Sequence, residues 1–277
     1  MTSYTHGDVE ADRALKAKHR GMWALGNYPA VATQLIPELG PILVEACGVS
    51  AGDRVLDVGA GSGNAAIPAA LTGARVIASD LTPELFDAGK ALAAEKGAEL
   101  EWQEADAESL PFRDRQFDTV MSCVGVMFAP DHQRSADEMV RVCKPGGTIG
   151  LLSWTPGGFI GQMFATMKPF APPPPPGASP PPLWGDEAHV RDLLGDRVSG
   201  LRARRQEVRI GRFGRPEDFR RYFKDNYGPT IAVYRSLGVD TDRIAALDTA
   251  LDDLARRFGD DEGAMSWEYL LLTATRR

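Results

Sequence analysis

Four apolar runs alternate with helix-like stretches in the first part of the chain. They cover residues 54–58, 75–79, 117–123 and 148–154, and their apolar positions are largely consecutive. Consecutive apolar positions are typical of strands that are buried on both faces, as in a parallel sheet. Because these strands alternate with helices from about residue 41 to 155, the pattern predicts a doubly wound α/β sheet.

Two of the intervening helices have recognisable ends. Residues 83–96 begin with a proline that follows Thr82, a suitable N-terminal cap, and they end before Gly97. Residues 131–142 form the second predicted helix. The Lys-Pro-Gly-Gly sequence at 144–147 predicts a break before the next strand.

Further segments are predicted to surround this unit. Residues 1–40 carry helical patterns, and we interpret them as a helical lid ahead of the main domain at 41–277. An insertion at 155–185 is rich in proline, since nine of the 20 prolines in the chain fall between residues 169 and 182. Such a segment favours an extended loop. It is either a solvated spacer or a loop that closes over a site.

Two strands and a helical insertion complete the predicted chain. The strands cover residues 203–210 and 265–274, and the insertion covers residues 213–262. The longest apolar stretch, 149–167, is broken by proline and glycine, so no membrane span is predicted. The N-terminus lacks the basic and then apolar pattern of a signal peptide. We therefore expect a cytoplasmic protein.

Composition narrows the expected partners. The 277 residues include 31 Lys and Arg against 38 Asp and Glu, which gives a formal net charge of −7. An acidic balance argues against a nucleic-acid partner, because neutralising phosphates requires a basic surface. Cys47, Cys123 and Cys143 are scattered without metal-ligand spacing, so neither a zinc site nor a disulfide framework is predicted.

A glycine turn follows the first predicted strand in the sequence RVLDVGAGSGN at 54–64. Glycine lets the backbone turn tightly and approach a ligand, and the helix that follows offers free N–H groups. This arrangement binds nucleotides and related cofactors. Asn64 stands where the dinucleotide fingerprint requires its third glycine, which disfavours NAD and FAD. No Gly-Lys-Ser/Thr follows, so the turn is not a phosphate-binding P-loop.

Two acidic residues follow later strands of the same unit. Asp80 ends the second strand, where a carboxylate can accept hydrogen bonds from both hydroxyls of a ribose. Asp106 lies further along, where a carboxylate can accept from an adenine amine. The glycine turn and the two acids would thus lie at the carboxyl ends of three strands. Open α/β sheets bind their ligands at that edge.

These motifs resemble those of class I S-adenosylmethionine-dependent methyltransferases. The resemblance rests on VLDVGAGSGN at 55–64, Asp80, Asp106-Ala107 before Leu-Pro-Phe, Phe-Asp at 117–118, and Lys-Pro-Gly-Gly at 144–147. It is greatest to the branch that contains the ubiquinone and menaquinone biosynthesis enzymes and many small-molecule methyltransferases. It covers residues 50–155 and implies a seven-stranded, mostly parallel, Rossmann-like sheet. The implied cofactor is S-adenosylmethionine, with S-adenosylhomocysteine as its product.

The resemblance also assigns residues to the cofactor. The glycine turn would lie beside the methionine moiety and Asp57 at its amino end, Asp80 and Leu81 at the ribose and adenine, and Asp106 with Ala107 at the far end of the adenine. Ser122 and Cys123 end the fourth strand near the methionine amine, and the N-terminal rings would close over the sulfonium by a cation–π contact. The complete set is Trp23, Tyr28, Asp57, Gly59, Ala60, Gly61, Gly63, Asp80, Leu81, Asp106, Ala107, Ser122 and Cys123.

Methyl transfer by in-line displacement requires alignment of the reactants more than a catalytic group. A base is needed only where the acceptor must lose a proton. His132, just after the fourth strand, is the candidate base, and His19 would reach the site only if the N-terminal segment folds over it. The Asn/Asp-Pro-Pro-Tyr motif of DNA amino-methyltransferases is absent after the fourth strand, which leaves a small-molecule acceptor.

An aromatic and methionine-rich stripe near the proline-rich segment is the candidate acceptor pocket, and it would suit an apolar or aromatic acceptor. The same stripe is equally consistent with core packing. The candidate acceptor residues are Phe159, Met163, Trp184, Tyr222 and Tyr227. Two other functions stay open: a protein that binds S-adenosylmethionine without turnover, and a nicotinamide oxidoreductase.

Overall fold

A seven-stranded sheet forms the centre of the molecule. The structure is a computed structural model, and it describes residues 6–175 and 177–277. Residues 1–5 of the predicted lid and Pro176 of the proline-rich insertion lie outside the described residues. The strands are β1 (Arg54–Val58), β2 (Arg75–Asp80), β3 (Glu101–Glu104), β4 (Phe117–Cys123), β5 (Cys143–Trp154), β6 (Val198–Ile210) and β7 (Met265–Arg276). Their order is β3-β2-β1-β4-β5-β7-β6, and β7 alone runs antiparallel to its neighbours. The predicted doubly wound, mostly parallel sheet is confirmed.

Eleven α-helices in the described part of the chain surround the sheet. They are α1 (His6–Trp23), α2 (Tyr28–Leu35), α3 (Leu39–Cys47), α4 (Ala66–Leu71), α5 (Phe86–Lys96), α6 (His132–Val142), α7 (Phe159–Met167), α8 (Glu187–Leu194), α9 (Pro216–Asn226), α10 (Gly228–Leu237) and α11 (Thr241–Phe258). Short 3-10 turns cover Pro83–Leu85, Val126–Phe128, Lys168–Phe170, Pro181–Gly185 and Gly195–Arg197. Six of the seven strands follow the sequence pattern, and α9 to α11 lie within the predicted helical insertion. The short strand β3 was not among the predicted apolar runs, because its sequence EWQE is mostly polar.

The strand β5 is longer than predicted. It begins at Cys143 rather than at residue 148, so the Lys-Pro-Gly-Gly sequence is extended and does not interrupt the strand. Pairing with β4 starts at Phe117 and Cys143 and resumes at Thr119 and Thr148 after a shift of register. The additional residues of β5 are accommodated in this bulge, where the missing N–H of a proline costs no ladder hydrogen bond.

The helix expected at 83–96 begins as a 3-10 turn and becomes α-helical only at Phe86. Thr82 does not cap it through its side chain, because its hydroxyl is buried without a hydrogen-bond partner in the described residues. The backbone N–H of Thr82 instead donates to the Asp80 carboxylate. The predicted stop is confirmed, since Gly97 is left-handed and caps the helix with its N–H.

The proline-rich insertion is more ordered than an extended loop. Helix α7 lies inside it, and prolines occupy the early positions of the turns Lys168–Phe170 and Pro181–Gly185. Proline is tolerated there because the first N–H groups of a helical turn have no partner within the turn. Gly185 lies so close to the backbone of Trp154 that a Cβ would approach its carbonyl oxygen to 2.1 Å.

No single helix of the described residues is long and apolar enough to cross a membrane, although α2 and α3 together reach that length with a bend of 73° between them. Both helices have buried apolar residues in this fold, including Leu35, Leu39 and Leu43. The expected cytoplasmic location stays a prediction.

Candidate cofactor site

A cavity opens at the carboxyl ends of β1, β2 and β4, with helix α1 forming one of its walls. Its empty volume is about 680 Å³, including the solvent space at its mouth. Most of the residues assigned to the cofactor from the sequence meet here. The assigned residues that line the cavity are Trp23, Tyr28, Gly59, Gly61, Asp80, Leu81, Asp106 and Ala107.

The glycine turn has the backbone geometry that its sequence requires. Gly59, Gly61 and Gly63 have φ angles of 69°, 55° and 87°, a region in which other residues are strained. Gly59 also packs against the backbone of Gly125, and a Cβ on Gly59 would lie 2.8 Å from the carbonyl carbon of Gly125. The ring of Tyr28 lies over Gly61, 3.3 Å from where a Cβ would stand. The turn is therefore tightly enclosed on both sides.

Asp80 fixes the glycine turn against the end of β2. One carboxylate oxygen accepts a hydrogen bond from the Gly61 N–H at 2.8 Å, and the other accepts from the Thr82 N–H at 2.8 Å. Burial raises the pKa of Asp80, and these backbone donors counteract part of that rise. Each oxygen has a second lone pair, so the carboxylate can still accept from ligand hydroxyls.

Asp57 is a buried carboxyl group without a partner. It is 1% exposed, and neither of its oxygens has a hydrogen bond within the described residues. Burial raises the pKa of Asp57 to about 8. The nearby Ala66 N–H offsets part of that rise without forming a hydrogen bond, and the negative charge of Asp80 adds to the rise. Asp57 does not itself line the cavity but lies two residues before Gly59, which does. Buried polar groups are normally paired, so an unpaired carboxyl group beside the cavity lining indicates a ligand with a donor or a positive charge.

Other residues assigned to the cofactor support the cavity from behind. The Ser122 hydroxyl donates to the Val58 carbonyl at 2.5 Å and accepts from the Val126 N–H at 2.8 Å, which joins the glycine turn to the turn after β4. Ala60 donates its N–H to Ser79, Gly63 packs on Trp102, and Cys123 is 8% exposed. These residues shape the site rather than line it.

Val124 is a lining residue that sequence reasoning missed. Its φ angle is 46°, which is a rare and strained value for a β-branched side chain. Its N–H donates to the Leu152 carbonyl at 2.7 Å, and this contact holds the chain where Gly125 meets Gly59. No sequence signal could have found Val124, because valine gives no indication of a positive φ.

Five rings from distant parts of the chain form one cluster beside the glycine turn. Trp23 contacts Tyr28, Phe128 and Tyr227, with ring centroids 5.5, 4.6 and 5.7 Å apart. Phe164 contacts Phe128 at 5.9 Å and Tyr227 at 6.5 Å. We call these five residues the aromatic cluster. Burial raises the pKa of both Tyr28 and Tyr227, so their hydroxyls stay protonated.

None of the five predicted acceptor residues lines the cavity. Phe159 and Met163 are fully buried, and Phe159 stacks on Trp267 at 5.5 Å. Trp184 is 1% exposed and packs against His132. Tyr222 is half-buried, and its hydroxyl donates to Gln34. The aromatic and methionine-rich stripe therefore packs mainly as core, because its side chains face inward. Of the five predicted residues, only Tyr227 joins the aromatic cluster.

His132, the candidate base, lies behind the cavity wall. It is 2% exposed, and its Nδ1 is 2.9 Å from Nε2 of His189 on α8. Burial, with a smaller effect from the neighbouring His189, lowers the pKa of His132 to about 4. The histidine that does line the cavity is His19 of α1, whose pKa is also lowered, by burial and by the nearby lysines.

Helix α1 supplies a cavity residue that sequence reasoning did not consider. Lys16 lines the cavity and contacts Asp106 at 3.1 Å and Glu108 at 2.6 Å. Lys16, His19 and Trp23 follow the i, i+3, i+7 spacing of one helix face, which was the available sequence signal. That spacing identifies one face of the helix, but it does not show which part of the protein the face packs against.

Comparison with known proteins agrees with this geometry. A family model described as a methyltransferase domain matches residues 56–151. An uncharacterised protein of Mycobacterium tuberculosis is 53% identical over 266 residues, which cover 96% of this chain and 97% of that protein. The demethylmenaquinone methyltransferase of Clavibacter sepedonicus is 37% identical over 36% of this chain and 40% of its own length. The crystal structure of the YcgJ protein from Bacillus subtilis shares the fold, with a TM-score of 0.57, 21% identity, and coverage of 87% of this chain and 98% of that one.

Proposed function

Because the chain belongs to the class I S-adenosylmethionine-dependent methyltransferases, we propose that it transfers a methyl group by in-line displacement to a small, largely apolar acceptor. When bound, S-adenosylmethionine supplies a methyl carbon that its positively charged sulfur makes electrophilic. Family membership decides for this cofactor over the nicotinamide alternative. The net charge of −7 supports a small molecule rather than a nucleic acid as the acceptor.

The residues that line the cavity, and Asp57 beside them, fit that cofactor. The orphaned carboxyl group of Asp57 would balance the charge of an ammonium group. Asp80, whose two oxygens are already oriented by backbone N–H groups, would accept from the ribose hydroxyls. Leu81 and Ala107 offer apolar contacts for an adenine, and the carboxylate of Asp106 can accept from its amine.

The observation that carries the acceptor class is the aromatic cluster. Trp23, Tyr28, Phe128, Phe164 and Tyr227 adjoin the cofactor residues, and none of them carries a charge at neutral pH. Apolar surroundings disfavour a charged acceptor, whereas an uncharged ring would gain from burial against other rings. The same rings would exclude water from the reacting atoms.

The described residues support a reaction that needs little acid–base assistance. The protonated hydroxyls of Tyr28 and Tyr227 can donate a hydrogen bond to an acceptor but cannot take its proton, because burial raises the pKa of both. The role of His132 as a base stays a prediction, and His19 is the alternative that the cavity lining offers. We therefore propose an uncharged acceptor whose nucleophilic atom already has a free lone pair.

Two measurements test the proposal. Isothermal titration with S-adenosylhomocysteine should give a dissociation constant of roughly 1–100 μM, in the usual span of enzyme affinities, and Asp80→Ala should weaken binding strongly. Release of S-adenosylhomocysteine is then measured with a panel of uncharged aromatic compounds and a matched panel of charged amines and carboxylates. We expect turnover with members of the first panel. Turnover confined to the charged panel, or binding without turnover in either, would contradict the proposed acceptor.

A further inference from the structure

We propose that Lys16 is a positioning residue of the cofactor cavity: it fixes the carboxylate of Asp106 and holds α1 over the cavity, so that the cofactor exchanges only when the Lys16 contacts open. The inference rests on the proposed function, because it requires the cofactor to occupy this cavity. Lys16 itself would set how fast the cofactor leaves and would not take part in the chemistry.

The contacts of Lys16 are short and buried. Its ammonium group lies 2.6 Å from a carboxylate oxygen of Glu108 and 3.1 Å from one of Asp106. Lys16 is 8% exposed and Glu108 is 5% exposed. The same Asp106 oxygen accepts from the Glu108 N–H at 2.9 Å, so two donors fix the orientation of that carboxylate. One side chain of α1 thus orders a residue at the adenine end of the cavity.

The position of Lys16 on its helix makes it a barrier to exchange. Lys16, His19 and Trp23 share one face of α1 and line the same cavity, so this face must move away before the wall opens. Movement of α1 separates Lys16 from both carboxylates. Glu108 would retain Arg134, at 3.6 Å, and a hydrogen bond from the Asp131 N–H.

The remaining ion pairs of α1 are weaker candidates for this role. Arg20 pairs with Glu84 and Glu104, but the side chains are 38%, 46% and 54% exposed. Asp12 pairs with Arg134 at 3.8 Å, and these side chains are 39% and 32% exposed. Exposed ion pairs contribute little to stability because water and salt screen them. Breaking a buried pair leaves a charge without compensation and has a much larger effect. The closing of α1 should therefore depend on Lys16 more than on Arg20.

The experiment measures the rate at which S-adenosylhomocysteine leaves the purified protein, by stopped-flow displacement. Lys16→Met should accelerate dissociation at least about tenfold, and Lys16→Arg, which keeps the charge, should restore much of the slow release. Lys18→Met is the matched control, because Lys18 is an exposed lysine of the same helix with no ion pair in the described structure. It should release the ligand at the wild-type rate. Circular dichroism checks that each variant is folded.

A second variant separates a contact with the ligand from a role in closing the cavity. Glu108 does not line the cavity, but it contacts Lys16, which does. Glu108→Gln should also accelerate release, and the double variant with Lys16→Met should be little faster than either single one, since both remove the same interaction. Unchanged release in Lys16→Met, with wild-type protein binding the ligand, overturns this inference alone. Failure of the wild-type protein to bind overturns the proposed function and this inference together.

Discussion

The two sides of the cavity are built in different ways. The side formed by β1 and β2 uses backbone N–H groups and carboxylates, and nearly all of them come from residues 54–64 and from Asp80. The opposite side is lined by the rings of Trp23, Tyr28 and Phe128. Phe164 and Tyr227 pack behind these rings, so the aromatic cluster comes from four separated parts of the chain. The first side offers fixed polar geometry, whereas the second offers shape and apolar surface. An acceptor preference can therefore change without disturbing the cofactor side.

The largest effect is expected where the backbone itself forms the cofactor side. Gly59→Ala would place a methyl group 2.8 Å from the Gly125 carbonyl carbon at a φ of 69°. Overlap with backbone cannot be relieved by turning a side chain, so the glycine turn must move. We expect S-adenosylhomocysteine binding, measured by isothermal titration, to fall at least about 100-fold.

Gly48→Ala is the matched control for that substitution. Gly48 has a similar φ of 66°, but a Cβ there would meet nothing within 4 Å. It should lower the melting temperature by the cost of the left-handed backbone and leave binding unchanged. If Gly59→Ala does not fold, Gly125→Ala gives the second test, since its Cβ would lie 2.1 Å from the Gly59 carbonyl oxygen without a positive φ. Wild-type affinity in both would contradict the close-packed turn.

The sequence allowed prediction of the cofactor side because its determinants are local. A turn that requires positive φ must use glycine, and a carboxylate at the end of a parallel strand lies at the ligand edge of the sheet, so Gly59, Gly61 and Asp80 could be identified by position alone. The alternation of strands and helices likewise allowed prediction of the doubly wound sheet. The hydrophobic pattern could not predict the bulge in the longer strand β5, because a register shift depends on pairing between separate strands.

The acceptor side could not be predicted in the same way. A ring on a helix face has the same sequence signature whether it packs in the core or borders a cavity, which is why Phe159 and Met163 were predicted at the acceptor and lie in the core. Phe128 follows β4 and Tyr227 lies between α9 and α10, and the two belong to one cluster only because both contact Trp23 of α1. Such contacts are long-range, and neither spacing nor composition encodes them.

The second prediction concerns the charge on the cofactor side, at Asp57. Burial raises its pKa to about 8, so at pH 7 the ligand-free protein holds this carboxyl group mainly in the protonated form. Balancing an ammonium group requires the anion, so binding should release close to one proton at pH 7. Affinity should rise with pH up to about 8. Isothermal titration of S-adenosylhomocysteine in buffers of different ionisation enthalpy measures the proton directly.

Asp57→Asn should bind about tenfold or more weakly and release no proton on binding. The stability of the ligand-free protein should depend on pH in the opposite direction from its affinity for the ligand. Between the unfolded pKa of 3.8 and the folded value of about 8, only the folded protein keeps the proton, so wild-type stability should fall as pH rises through that range. Thermal unfolding of Asp57→Asn should lack this fall. Equal proton release by both proteins would show that Asp57 is not the group that titrates.

The smallest effect is expected on the aromatic side, where one hydroxyl group can be removed without changing the packing. Tyr227→Phe leaves the ring contacts with Trp23 and Phe164 intact and removes a hydroxyl that would donate to the acceptor. The acceptor KM should rise roughly two- to tenfold, as for the loss of one hydrogen bond, while the affinity for S-adenosylhomocysteine stays unchanged. Tyr222→Phe removes a hydroxyl that is bonded to Gln34 away from the cavity, so it should leave both quantities unaltered. If Tyr227→Phe instead weakened binding of S-adenosylhomocysteine, the two sides of the cavity would not be independent.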